Sequence, residues 1–98
     1  MFNGFYLRKD FIKIMKNIKY VKNPQIEYCE LDNTIILNTD ENILVLESFE
    51  TSIFVLFDGE KNLSEISEIL SKNYSFYNEE DFIDFANLLI SKGVLIKK

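Results

Sequence analysis

Histidine and tryptophan are absent from this chain; cysteine and proline occur once each, and glycine three times. Without histidine, imidazole-based acid–base catalysis and imidazole-ligated metal sites are excluded. A single cysteine excludes an internal disulfide and a thiolate metal cluster. Cys29 has no histidine or cationic cluster to activate it, so it reads as a small buried hydrophobe. None of the glycines falls in a phosphate-cradling pattern. No apolar run reaches the ~18–20 residues needed to cross a bilayer. No small-residue cleavage site follows a long apolar stretch near the start, so a cytoplasmic protein is expected.

What is present is ordinary globular material. At 98 residues the length suits one domain. Hydrophobic residues at 47% and charged residues at 28% argue against disorder. Paired carboxylates mean little among 16 acidic residues. The balance favours a non-catalytic binding module over an enzyme, with no cofactor and no metal.

Charge is divided unevenly. Residues 1–24 carry a net +5 and residues 25–98 a net −10. That asymmetry marks 1–24 as a basic amphipathic extension and 25–98 as the binding domain. The acidic body argues against nucleic acid, which needs clustered Lys and Arg.

In 7–20, Leu7, Phe11, Ile14, Met15 and Ile18 form one apolar stripe at helical spacing, with Lys13, Lys16 and Lys19 spread over the other side. Packing on its own domain is the plain reading; membrane or partner contact is the alternative. Asn23-Pro24 ends the segment. Segments 26–31, 34–37 and 43–46 read as strands of an antiparallel meander, with turn chemistry at Asp32-Asn33 and at 38–42. Segment 48–57 fits a buried strand or a buried helix, and helix is the choice, with Ser48 as cap and Asp58-Gly59 as stop. Segments 62–74 and 78–92 are helices capped by Asn62 and Asn78, with Gly93 following the second. The apolar residues of 78–92 cover roughly 220° of arc, well beyond the ~100° stripe of one-sided packing. Either that helix is buried on two sides or part of it lines a groove.

The order of these pieces resembles the PqqD-like family, the precursor-peptide-binding domains also called RiPP recognition elements. The resemblance spans about residues 20–96. It rests on Leu46, on Ile53 with Leu56-Phe57-Asp58-Gly59, on Leu63-Ser64-Glu65-Ile66, on Asp81-Phe82-Ile83-Asp84-Phe85, and on Gly93-Val94-Leu95. Glu47 stands where the family often has Asn, and Ala86 where a larger aliphatic is common. The resemblance implies an α+β, winged helix-turn-helix-like fold: a three-stranded antiparallel sheet followed by three helices, here preceded by the basic amphipathic helix. It also implies that the leader of a ribosomally made precursor peptide adds as an extra strand beside the third strand, against the third helix. A peptide-modifying enzyme would be the further partner: a radical-SAM maturase, a cyclase or a leader peptidase.

The residues suit that job. An edge strand offers unpaired N–H and C=O groups to an extended peptide. Ile43, Leu44, Val45 and Leu46 are the expected receiving strand, and Phe82, Phe85, Leu88 and Leu89 the far wall of the groove. Such an edge also permits pairing with a second copy, so a monomer or an edge-paired dimer is expected. Two rivals use the same features. One is a protein-interaction subunit or chaperone-like adaptor without a maturation role. The other is a winged-helix nucleic-acid binder, which Glu79, Glu80, Asp81 and Asp84 on the third helix oppose.

Overall fold

A computed structural model of the chain describes residues 15–39 and 42–98. Six strands and three helices follow one another among them in this order: β1 Lys19–Lys22, β2 Glu27–Leu31, β3 Thr34–Asn38, β4 Ile43–Glu47, α1 Phe49–Phe54, β5 Asp58–Asn62, α2 Leu63–Asn73, α3 Glu79–Ser91 and β6 Leu95–Lys97. They build two antiparallel sheets, ordered β5-β1-β6 and β2-β3-β4. The expected winged helix-turn-helix-like layout is therefore corrected. Strands interleave with helices, and the sheet β2-β3-β4 is only half of the β structure.

The unforeseen sheet has a physical origin. Its strands pair residues far apart in the chain, with Tyr20 opposite Lys97 and Lys19 opposite Asn62. β5 reads Asp-Gly-Glu-Lys-Asn and contains no strand-forming side chain, so its ladder rests chiefly on backbone pairing, with the Lys98 ammonium reaching Glu60 at 3.3 Å. Asp58-Gly59 does not simply stop a helix. The Asp58 carboxylate accepts from the Glu60 N–H at 2.9 Å and the Lys61 ammonium at 2.6 Å. Gly59 takes φ +83° at the start of the strand, a conformation that favours glycine. The Lys61 hydrogen bond, with the Glu60 amide, lowers the Asp58 pKa to about 2.

The expected helix over 7–20 ends early. Residues 7–14 lie outside the described residues, Met15 and Lys16 are helical, and β1 starts at Lys19. Tyr20 satisfies either a helical or an alternating pattern, and in β1 it points into the core at 5% exposure. Asn23 then ties the segment after β1 to the segment before β6, its N–H bonding the Val94 carbonyl at 2.8 Å and its side-chain amide the Gly93 carbonyl at 2.9 Å.

One core serves both sheets. Tyr20 and Leu95 from the first belong to the same buried cluster as Ile35, Leu37 and Leu46 from the second and Phe54, Phe57, Ile66 and Leu89. α2 opens on a capping box: Asn62 Oδ1 accepts from the Glu65 N–H, and Glu65 Oε1 accepts from the Asn62 N–H. Asn78 caps α3 by accepting from the Asp81 N–H at 3.0 Å. Ser48 makes no side-chain cap and sits at φ 50°. Instead, the Thr51 hydroxyl holds α1 to the sheet, lying 2.9 Å from the Asn33 carbonyl and 3.0 Å from that of Leu46. Cys29 corrects another expectation, because it is exposed on β2.

Candidate functional site: an open strand edge beside an aromatic cavity

In the sheet β2-β3-β4, β4 is an outer strand with β3 as its neighbour. Antiparallel pairs alternate between hydrogen-bonded and non-bonded registers, and the flanking bonds fix which is which. Thr39 N–H bonds the Asn42 carbonyl and Ser48 N–H bonds the Asn33 carbonyl. Counting inward by twos along the register makes Leu37–Leu44 and Ile35–Leu46 the bonded pairs. The backbone groups of Ile43, Val45 and Glu47 therefore point away from β3. The Glu47 N–H is taken by Glu50 Oε1 at 3.3 Å. Among the described residues, the N–H and C=O of Ile43 and Val45 and the C=O of Glu47 meet no partner.

The other outer strand differs in kind. β2 carries Glu27 and Glu30, with Asp32 in the turn that follows. Charges on an edge blunt pairing with a further strand. β4 carries none before Glu47, and its Ile43 and Val45 side chains are 63% and 50% exposed. Leu44 and Leu46 alternate with them and turn inward, Leu46 being buried.

A cavity of about 210 Å³ opens where α1 meets α3. Phe49, Ile53, Phe76, Phe82 and Phe85 give it apolar walls; Glu50, Asn78 and Asp81 edge it. Glu50 is the link to the strand, since the carboxylate that edges the cavity also binds the last N–H of β4. The loop between α2 and α3 is held by Tyr77, whose hydroxyl hydrogen-bonds Ser67 and whose ring lies 6.2 Å from that of Phe82. Burial raises the Tyr77 pKa, so its hydroxyl stays protonated in neutral water. Phe49 meets Tyr74 and Phe76 edge-on at 4.7 and 5.0 Å, and Phe76 remains 65% exposed.

The structure separates the expected wall residues. Phe82 and Phe85 line the cavity; Phe82 is also core at 2% exposure, whereas Phe85 is half-buried. Leu89 is wholly in the core, and Leu88 is exposed without lining the cavity. The broad apolar arc of α3 thus divides between two-sided burial and one cavity wall. Phe49 and Phe76 escaped the sequence reading. The visible signal for Phe76 was an aromatic triplet, Tyr74, Phe76 and Tyr77, in an otherwise polar stretch.

Among the described residues, no group of three or more Cys, Asp or Glu side chains is placed to hold a metal, and no helix is long and apolar enough to cross a membrane. Among the described residues the arrangement is an α+β domain in which the β4 edge, uncharged up to Glu47, ends beside an apolar cavity. No family model, curated protein or solved structure matches the chain.

Proposed function

We propose that this domain is a non-catalytic binder of an extended peptide, which it captures by strand addition along β4 with one side chain anchored in the Phe82–Phe85 cavity. The observation that carries the reading is the coincidence of β4's outward-facing backbone with an aromatic cavity joined to it through Glu50. The cavity is smaller than the ~300–1,000 Å³ typical of small-molecule sites, and it suits a side chain better than a free ligand.

Magnitudes require both parts. Five backbone groups at about 0.5–1.5 kcal/mol net each fall short of the ~8 kcal/mol of micromolar binding once ordering costs are counted. Burying one large apolar side chain adds about 1.5–3 kcal/mol. The motifs shared with precursor-peptide-binding domains favour a leader peptide as the ligand, with a cytoplasmic maturation enzyme receiving the complex. The exposed carboxylates of Glu79, Glu80, Asp81 and Asp84 along α3 weigh against nucleic acid.

The test is an anisotropy titration of the full chain against a labelled leader from a short reading frame beside its gene. Saturable binding at micromolar concentration or tighter is expected. A leader that fails to bind at any concentration up to millimolar contradicts the reading.

A further inference from the structure

We propose that the cavity selects for charge as well as bulk: its occupant is an aromatic or branched aliphatic residue flanked by Lys or Arg. This rests on the peptide-capture reading and specifies the ligand for the same site. Each wall contributes one carboxylate, Glu50 from α1 and Asp81 from α3, and no lysine or arginine lines the space. Both carboxylates are at exposed positions, at the rim rather than among the phenylalanines. Asp81 has no ion-pair partner among the described residues, whereas Glu79, two residues earlier, is engaged by Lys16.

One feature pulls the other way. The cavity lies at the N-terminal end of α3, and a helix start carries about half a positive charge. Glu80 and Asp81 in that first turn, with Glu50 opposite, outnumber it several-fold in full charges. The local field therefore favours cations. It also disfavours an acidic flank, since a carboxylate entering here meets two others without a counter-charge. A basic side chain can lay its aliphatic stem along Phe49 or Phe85 while its head reaches a rim carboxylate.

The experiment uses two synthetic ten-residue probes of alternating Val and Thr with a central Phe. One has Lys on both sides of the Phe, the other Glu. Binding to the full chain is read by fluorescence anisotropy, and the Val45 amide by nitrogen-15 NMR. Rim pairs at solvent-exposed positions are individually weak, so the Lys probe should bind roughly five- to twentyfold tighter at low salt. That ratio should shrink toward one in 1 M salt, where the screening length is about 3 Å. Asp81→Asn and Glu50→Gln should each cut the ratio severalfold; Gln keeps an acceptor for the Glu47 N–H. Equal affinity for both probes, with the Val45 amide shifted by each, overturns the charge selectivity and leaves strand capture standing. Failure of both probes to bind or to shift Val45 overturns the selectivity and the capture reading together.

Discussion

Val45→Pro should abolish peptide capture while leaving the domain folded. Proline lacks an N–H, and its ring occupies the space beside the strand where a partner would approach. At most strand positions that loss breaks the sheet. At Val45 the N–H points outward, because the residue stands in a non-bonded pair with Ile36. Proline is tolerated on edge strands in that orientation. The ladder to β3 therefore survives, while the peptide loses a central bond and meets the ring. Affinity should fall at least about tenfold, since a lost bond of roughly 1 kcal/mol adds to the steric block. Leu44→Pro, one residue away, is the contrast. It removes the N–H that bonds Leu37 and should destabilise the sheet itself. Circular dichroism and urea unfolding of the two variants, with binding measured on whichever folds, separate the roles.

The second large effect concerns two phenylalanines of α3 that sit three residues apart. Phe85→Asp should remove most binding and keep the fold, because Phe85 is half-buried and faces the cavity. Losing the apolar contact of one anchor is worth about 1.5–3 kcal/mol, or at least roughly tenfold in affinity. Phe85→Ala should move in the same direction without adding a charge. Phe82→Asp has a different outcome. Phe82 is 2% exposed and packs near Phe57, so an aspartate there is a buried charge with no partner. The penalty of several kcal/mol is comparable with the ~5–15 kcal/mol that holds a domain together. That variant should fail to fold cooperatively. If Phe85→Asp binds like the parent chain, the cavity is not the anchor site.

The three strands of the meander announce themselves in the sequence because their information is local. Apolar β-formers in 26–31, 34–37 and 43–46 are separated by turn residues, and the hairpin partners are adjacent in the chain. α2 and α3 are equally readable, since Asn62 with Glu65 and Asn78 with its acidic first turn mark helix starts by short-range hydrogen bonds. The sheet β5-β1-β6 is invisible for the opposite reason. Its three strands are each separated by more than thirty residues of sequence, and Asp58–Asn62 has a turn-like composition that pairing overrides. The winged layout that the family resemblance implies has a single sheet, whereas β1, β5 and β6 form a second.

The candidate site divides along the same line. β4 can be read from four consecutive apolar residues, but an unbroken apolar run does not say which of them turn inward. Which of its backbone groups face outward needs the hairpin register, set by Thr39–Asn42 and Asn33–Ser48. The cavity draws on three separate stretches, and Phe49 and Phe76 belong to segments with no helical or strand period to flag them. Leu88 and Leu89 fall on the same helical arc as Phe82 and Phe85, and the arc alone does not say which part meets a neighbour. Leu89 is fully buried in the core, whereas Leu88 is 42% exposed to water.

Amide hydrogen exchange at β4 is the most direct measurement of strand capture. In the free protein, Leu44 and Leu46 should exchange slowly, and Ile43 and Val45 rapidly, because only the first two donate to β3. Adding a saturating peptide ligand should slow Ile43 and Val45 by at least about tenfold and leave Leu44 and Leu46 protected. Rapid exchange at Ile43 and Val45 with the ligand fully bound, or slow exchange at both before any ligand is added, would contradict the account.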